Sequence, residues 1–284
     1  MLSRIARPLV SKSVFRRTFS TPVVTATQNI FSPTEEHQAL REMLRGFVES
    51  EIDPQALEYN KKEEFNVDLF RKLGDLGLLG ITVPVEYGGS GMDATAAVIA
   101  HEEMASSDPA FCLSYLAHSM LFVNNLCQNG NEEQKHRFLP GTCSGELIGG
   151  MGMSEPAAGT DVMGMATTAT PNADGTEYTI NGAKMWITNG TLAQVAVVWA
   201  KLDGVIRGFI VEQGDEGFSA PEMKGKYSLR ASVTSELVFQ DCKIPKDRIL
   251  PGVKGLRGPF SCLNNARFGI SWGALGAAMA CFHS

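Results

Sequence analysis

The chain has 284 residues, 44% of them hydrophobic and 20% charged, and its formal net charge is −6 at pH 7. This balance is typical of folded globular proteins and excludes a disordered chain. No uninterrupted apolar run approaches the roughly 18 residues that a membrane-spanning helix needs, so we expect no integral membrane segment.

The first 24 residues have the composition of a mitochondrial transit peptide, because they are rich in arginine and serine and contain no acid. Their basic residues are Arg4, Arg7, Lys12, Arg16 and Arg17. Removing these five positive charges would take the net charge from −6 to −11, which disfavours nucleic-acid binding. We therefore predict a protein of the mitochondrial matrix; a basic disordered arm that binds an acidic partner is the alternative.

Residues 25–148 are predicted to form an N-terminal helical domain. The segment from Ser32 to Glu35 reads as a capping box with proline in the first turn, so a helix should begin there. Apolar residues then recur at helical spacing, and Pro140 should end the last helix of this domain. Besides the first helix, the predicted helices span about 66–79, 94–105, 110–128 and 132–138, and the glycine-rich segment 82–91 is predicted as a loop.

After residue 148 the apolar period changes from 3.6 to 2, which predicts a β domain over residues 149–252. Its evenly spaced Asp-Gly and Asn-Gly pairs favour a compact antiparallel barrel or sandwich. Residues 253–284 are predicted as the first helix of a C-terminal helical domain that is incomplete, because no C-cap or partner helix follows. The fold class is therefore α+β multidomain. The predicted strands span 178–180, 185–187, 194–200, 206–211 and 236–239.

Two segments are candidates for binding a flat cofactor. Met151–Thr160 is a loop of small residues with hydroxyl groups, and Trp186–Thr188 supplies an indole on which a planar ring could stack. No G-x-G-x-x-G or P-loop motif is present, which disfavours a nicotinamide Rossmann enzyme. The six cysteines lack zinc spacing and are interpreted as reduced thiols, so no metal site is predicted. A glycine-containing turn beside a core tryptophan is the alternative.

The same two segments carry a family resemblance. MGMSEPAAGTD (151–161) and NGAKMWITNG (181–190) resemble the paired flavin motifs of the acyl-CoA dehydrogenases, and the similarity runs from about Phe31 to Cys281. The resemblance implies FAD as the cofactor, with Glu155 interpreted as a structural residue of the flavin loop rather than a catalytic acid. The implied cofactor-binding residues are Met151, Gly152, Met153, Ser154, Glu155, Pro156, Ala157, Ala158, Gly159, Thr160, Trp186, Ile187 and Thr188.

The resemblance also implies a substrate and two subgroups. Residues 31 to about 165 are more similar to isovaleryl-CoA dehydrogenases, and those from 195 on to glutaryl-CoA dehydrogenases. Glutaryl-type enzymes carry an arginine for the distal carboxylate where this sequence has Cys112; an anionic tail buried without a cation is costly, so glutaryl specificity is disfavoured. A helix ion pair is the alternative role of Arg267. The implied acyl-CoA contacts are Thr160, Phe260, Leu263, Asn264 and Arg267.

The reaction that the resemblance implies is FAD-dependent α,β-desaturation of a short-chain acyl-CoA by a homotetramer, with electrons passed to electron-transfer flavoprotein. Isovaleryl-type enzymes carry the catalytic base at the position of Ala266, and most other members carry a glutamate in a later segment that is absent here. No catalytic residue is therefore assigned, and the 284-residue chain alone is expected to be inactive. The alternatives are a non-catalytic remnant, which binds flavin weakly or joins complete subunits, and an acyl-CoA oxidase.

Overall fold

The computed structural model describes residues 32–284; the predicted transit peptide lies outside the described residues. Helices dominate from residue 35 to residue 144, strands follow from 149 to 245, and one long helix comes last. π-helical turns at Val48–Ile52 and Ala117–Val123 join α1 to α2 and α5 to α6. The α-helices are α1 Glu35–Phe47, α2 Asp53–Lys62, α3 Val67–Asp75, α4 Ala94–Ala105, α5 Pro109–Leu116, α6 Asn124–Asn129, α7 Glu132–Ser144 and α8 Arg257–His283.

Helix α1 begins two residues later than the capping box predicted from Ser32. The Thr34 hydroxyl accepts a hydrogen bond from the amide of His37 at 3.1 Å, which makes Thr34 the N-cap. Ser32 is instead buried, and its hydroxyl accepts from Arg41 Nε at 3.1 Å. The prediction that a capping box starts at Ser32 is therefore wrong, although the helix itself is confirmed.

Helix α7 runs through Pro140, which contradicts the prediction that this proline ends it. The helix continues to Ser144 and stops at Gly145, whose φ of 81° places it in the left-handed region. Proline removes the hydrogen bond to the carbonyl four residues earlier, which belongs to His136. Both residues lie on the exposed side of the helix, where water can solvate that carbonyl. This location makes the proline tolerable.

Helices α5 and α6 and the π turn between them form one continuous stretch, Pro109–Asn129. This stretch has the length and mean hydropathy (1.2) of a segment that could cross a membrane, but 78% of its apolar window is buried inside the protein. It packs between the other helices and the sheet, with Phe111, Tyr115 and Phe122 almost fully buried. Its apolar composition therefore fits a central core helix.

The seven strands within residues 32–284 form one sheet with parallel and antiparallel pairs, whereas the sequence predicted an antiparallel barrel or sandwich. β4 pairs with β5 antiparallel on one edge and with β1 and β2 parallel on the other. From there the order continues through β3 and β7 to β6. The strands are β1 Gly149–Gly152, β2 Thr168–Pro171, β3 Glu177–Thr188, β4 Val195–Leu202, β5 Val205–Glu212, β6 Phe218–Ser219 and β7 Thr234–Pro245.

Strand β3 is longer and more irregular than predicted. It pairs antiparallel with β7, and the register shifts between Ile180 and Gly182 and again between Lys184 and Ile187. The Asn-Gly pair that predicted a turn is thus a bulge inside one strand, with Gly182 at φ 141°. The second irregularity places Trp186 at a φ of 64°, in the left-handed region. The two irregularities lie near the centre and near the end of β3.

Helix α8 packs against α4, α5, α6 and the second π turn, and it also contacts β5. It packs against α4 so tightly that a Cβ at Gly276 would lie 2.1 Å from the carbonyl oxygen of Glu102. Only glycine permits that approach. At its other end α8 contributes Cys262 to a core cluster that includes Met151 and Met153 of the β1 segment. A cavity lies beside this cluster.

Candidate functional site

The cavity has a volume of about 460 Å³ and lies where the π turn, the segment after β1, the end of β3 and the first half of α8 converge. No aspartate or glutamate lines it within residues 32–284, and its one charged residue is Arg267. The lining residues are Ala117, Leu121, Met151, Met153, Ser154, Gly159, Thr160, Val162, Trp186, Ile187, Thr188, Phe260, Leu263 and Arg267.

The apolar wall of the cavity comes from the π turn and from β1. Ala117 and Leu121 face it from the π turn, and Met151 and Met153 face it from β1 and the following residue. A π turn inside a helix is rare and is frequent at functional sites. Methionine side chains are polarisable and adapt to the shape of a neighbouring ring. This wall suits an apolar, flat ligand.

A buried histidine fixes the π turn to β1. His118 Nδ1 accepts a hydrogen bond from the amide of Gly149 at 2.9 Å, and its Nε2 donates to the carbonyl of Thr142 at 3.0 Å. Because Nδ1 accepts, the ring is neutral and its proton is on Nε2. Burial lowers the pKa of His118 to about 4. The apolar wall is thus held by an uncharged, fully bonded side chain.

Trp186 presents an open aromatic face to the cavity. Its side chain is 62% exposed, although it belongs to a strand whose neighbouring Ile187 is 3% exposed. The backbone on either side is pinned, because the amide of Met185 donates to Ser154 O at 2.8 Å and the amide of Asn189 to Val233 O at 2.9 Å. A bulky residue at φ 64° is strained, and such strain clusters at ligand sites.

Three residues with hydroxyl groups line the cavity together with this indole. They are Ser154, Thr160 and Thr188. In the part of the chain that the structure describes, none of the three side chains makes a hydrogen bond to another protein group. Hydroxyl groups both donate and accept hydrogen bonds, so this rim can serve the polar edge of a heterocycle.

Glu155 does not face the cavity, although it belongs to the predicted flavin loop. Its carboxylate is buried and lies 2.7 Å from Lys184 Nζ. Burial acts to raise the pKa of Glu155, but hydrogen bonds from Lys184, Thr167 and Ala166 outweigh that effect and lower the pKa. Burial lowers the pKa of Lys184. The carboxylate is therefore ionised and occupied, which agrees with its structural interpretation and excludes it as a free base.

Helix α8 brings one face to the cavity. Phe260, Leu263 and Arg267 line it at helical spacing. Asn264, predicted as a substrate contact, lies on the next helical position outside the lining, and its Oδ1 accepts from Arg267 Nη1 at 3.0 Å. Ala266 is 6% exposed and packs into the helical core. Arg267 thus lines the cavity, and within residues 32–284 it forms no ion pair. The alternative of a helix ion pair is wrong, because the helical partner of Arg267 is the uncharged amide of Asn264.

Cys112 also lies outside the cavity lining. It is buried in α5, and its thiol donates to the carbonyl of His101 at 3.4 Å. Burial raises the pKa of this thiol to about 12, so it is uncharged. Where glutaryl-type enzymes were expected to hold a substrate-pairing cation, this chain has a neutral side chain packed between helices.

The structure gathers most of the predicted site into one place. Of the predicted substrate residues, all but Asn264 line the cavity. The predicted cofactor residues outside the lining are Gly152, Glu155, Pro156, Ala157 and Ala158. Residues 155–158 form a turn closed by reciprocal hydrogen bonds between Glu155 and Ala158, and Gly152 faces Leu237 and Lys184. Residues that the sequence did not single out are Ala117, Leu121 and Val162; helical apolar spacing cannot separate a core position from a cavity position. Which of these residues contact a cofactor stays a prediction.

Comparison with known proteins identifies the family. Residues 34–146 match the acyl-CoA dehydrogenase N-terminal domain and residues 150–242 match the acyl-CoA dehydrogenase middle domain. The short-chain specific acyl-CoA dehydrogenase of Clostridium acetobutylicum is 37% identical over 260 residues, which cover 89% of this chain and 68% of that protein. The chain belongs to the acyl-CoA dehydrogenase family, as its two motifs predicted.

The similarity extends to both predicted subgroups. Mitochondrial isovaleryl-CoA dehydrogenase of Pongo abelii is 42% identical over 257 residues, or 87% of this chain and 60% of that protein. A glutaryl-CoA dehydrogenase from Mycobacterium smegmatis, solved in complex with FADH2, superimposes with a TM-score of 0.84 at 39% identity, covering 87% of this chain and 63% of that one. The chain thus spans about 60% of the length of the isovaleryl-type relative.

Proposed function

We propose that this chain forms the flavin-binding site of an FAD-dependent acyl-CoA dehydrogenase. The observation that carries the proposal is the exposed indole of Trp186, whose backbone lies at a φ of 64°, in one cavity with three hydroxyl groups that have no intramolecular partner within residues 32–284. A cavity of about 460 Å³ also has the size of small-molecule sites, which span roughly 300–1,000 Å³.

The residues present fit the flat, amphipathic ring system of FAD. Trp186 would pack on one face, Met151 and Met153 would form the apolar floor, and the hydroxyls of Ser154 and Thr188 would meet the polar edge. When bound, FAD supplies an acceptor for the two electrons that leave a saturated acyl chain. The protein's part is to orient the ring, exclude water from one side and present Arg267 and Thr160 to the acyl-CoA.

For the whole protein we propose α,β-desaturation of a short-chain acyl-CoA in the mitochondrial matrix, with FAD as cofactor and electron-transfer flavoprotein as electron acceptor. The names of the similar proteins support the reaction class, since they include isovaleryl-CoA, glutaryl-CoA and butyryl-CoA dehydrogenases. A solved structure concerned with the electron transferring flavoprotein of Acidaminococcus fermentans is 34% identical to this chain. Assembly as a homotetramer belongs to the same proposal.

A second function, flavin binding without turnover, has its own support in the cavity. Within the described residues no carboxylate lines it, and Ala266, where isovaleryl-type enzymes were expected to hold the base, cannot accept a proton. Removal of the α-proton of an acyl-CoA needs such a base. We therefore propose that the 284-residue chain by itself binds the flavin but does not desaturate acyl-CoA substrates.

Both proposals are tested on the purified chain under anaerobic conditions. FAD is titrated while flavin fluorescence is followed, and butyryl-CoA, isovaleryl-CoA or glutaryl-CoA is then added while the visible flavin absorbance is recorded. We expect saturable binding and no bleaching. Absence of saturable FAD binding would overturn the proposed flavin-binding site. Bleaching of the flavin absorbance by any of these substrates would overturn the proposal that this chain lacks turnover.

A further inference from the structure

Below the cavity lies a fully buried lysine. The Lys184 side chain has 0% exposure, and its Nζ donates to Glu155 Oε1 at 2.7 Å and to the carbonyl of Met153 at 3.3 Å. Lysine is almost never fully buried unless it is paired. This pair lies outside the cavity lining, so no direct role in ligand contact accounts for it.

The carboxylate of Glu155 is shared among three donors. Besides Lys184, it accepts from the amide of Ala166 at 2.6 Å and from the amide of Thr167 at 3.1 Å. Glu155 begins the segment that carries Gly159, Thr160 and Val162 to the cavity, and Ala166 and Thr167 end it. One side chain therefore closes the loop 155–167 at both ends.

The cation ties that loop to the opposite wall. Lys184 lies on β3 two residues before Trp186, at the start of the register shift that gives Trp186 its φ of 64°. Its bond to the carbonyl of Met153 reaches the residue that forms the cavity floor. The floor, the loop and the strand that carries the indole thus meet at one buried ion pair.

We infer that Glu155 and Lys184 are a positioning pair that sets the distance between the loop 155–167 and the Trp186 segment, and so the fit of the cavity to its ligand. The inference rests on the proposed function for the identity of that ligand as flavin. A buried ion pair is weak evidence for stability, because desolvation offsets attraction, and its best-attested role is to specify one arrangement.

The structure allows a sharp separation of positioning from stability. Glu155→Gln keeps the shape but loses an acceptor for one of the three donors, and Lys184→Met removes the cation. The double variant leaves no buried charge, so it should fold even where a single variant does not. Asp215→Asn is the matched control, because Asp215 is likewise a carboxylate that pairs with a cation, Arg248 at 2.7 Å, and accepts from a backbone amide, that of Glu212 at 2.7 Å, away from the cavity.

Two measurements on the full chain decide the matter. FAD titration should show roughly tenfold weaker binding for each single variant and for the double variant, because the residues act as one unit. Hydrogen exchange without FAD should show faster exchange confined to residues 154–167 and 185–189. Asp215→Asn should leave both readouts unchanged. A double variant that binds FAD as tightly as the unsubstituted chain, or unchanged exchange in these segments, would overturn the inference.

The two proposals fail in different ways in this experiment. If the unsubstituted chain shows no saturable FAD binding, the proposed function is wrong, and hydrogen exchange alone still decides whether the pair positions the loop. If the unsubstituted chain binds FAD and all variants bind FAD as tightly as it does, the proposed flavin-binding site is retained and the positioning role is overturned.

Discussion

His118 and Gly149 are joined by a hydrogen bond of 2.9 Å from the glycine amide to Nδ1 of the imidazole. The bond connects the π turn of the central helix to β1, 31 residues later in the chain. Both elements contribute side chains to the cavity, so one neutral histidine aligns the helical and sheet sides of the site. The imidazole of His118 also meets the ring of Phe70 edge-on at 5.3 Å.

Replacing this histidine should destabilise the protein. His118→Leu leaves the buried amide of Gly149 without an acceptor, and an unsatisfied buried group costs about 1–3 kcal/mol. Urea unfolding followed by circular dichroism measures the loss. His136→Leu, at an exposed position of α7, should stay within about 0.5 kcal/mol of the unsubstituted chain. Equal losses for the two variants would contradict the role of His118.

The free energy of unfolding should decrease as the pH is lowered, because two histidines are buried in their neutral form. Burial lowers the pKa of His101 and of His118 to about 4, from the ordinary value of 6.5. Between pH 6.5 and 4 the unfolded chain therefore binds more protons than the folded chain, and each histidine removes up to about 3 kcal/mol of stability as the pH falls through this window. Above pH 6.5 these two groups should add no further dependence. The difference between the unfolding free energies at pH 7 and at pH 4.5 should be smaller in His118→Leu than in the unsubstituted chain. An equal difference would contradict the lowered pKa of His118.

The sequence predicted those parts of the fold that local rules determine. The helix predicted over 94–105 has the same bounds in the structure, where the side chain of Asp93 caps it. Prediction from the sequence was wrong where tertiary context overrides a local signal. Pro140 is tolerated because it lies on an exposed helix face, and the bulge at Gly182 is bridged by continued pairing of β3 with β7.

The candidate site divides in the same way. Its motif residues, such as Thr160 and Trp186, stand in contiguous segments, so a resemblance could locate them. β1 was missed because Gly149–Gly152 is buried on both faces and shows no alternation. Ala117 and Leu121 were missed because a π turn has no sequence signature that separates it from an α-helix. The Lys184 contact joins residues 29 apart along the chain, which spacing alone cannot pair.

The rim hydroxyls should contribute to FAD affinity. Thr188→Val keeps the shape of the side chain but removes a hydroxyl that lines the cavity, and a net hydrogen bond is worth about 0.5–1.5 kcal/mol, or roughly two- to tenfold in affinity. Thr170→Val, at an exposed position of β2, is the control and should bind FAD like the unsubstituted chain. The same FAD affinity in both variants would show that the Thr188 hydroxyl does not contribute to FAD binding.

Arg267 should act on the acyl-CoA and not only within its helix. Arg267→Met removes the one cation of the cavity lining in residues 32–284 and should weaken binding of crotonyl-CoA to the FAD-loaded chain roughly fivefold or more, since bonds to charged groups are the stronger class. Asn264→Ala removes only the 3.0 Å hydrogen bond between the two side chains and should leave the affinity unchanged. Isothermal titration distinguishes the variants, and equal affinities for both would favour the purely helical role.

The central claim is that Trp186 provides the surface on which the flavin ring packs, and FAD titration of a matched pair of variants tests it most directly. Trp186→Ala and Tyr227→Ala each remove an exposed aromatic side chain, but only Trp186 lines the cavity. Loss of an aromatic stacking contact and its buried area should weaken FAD binding roughly tenfold in Trp186→Ala. Tyr227→Ala should bind FAD as the unsubstituted chain does. Undiminished FAD affinity in Trp186→Ala would contradict the account.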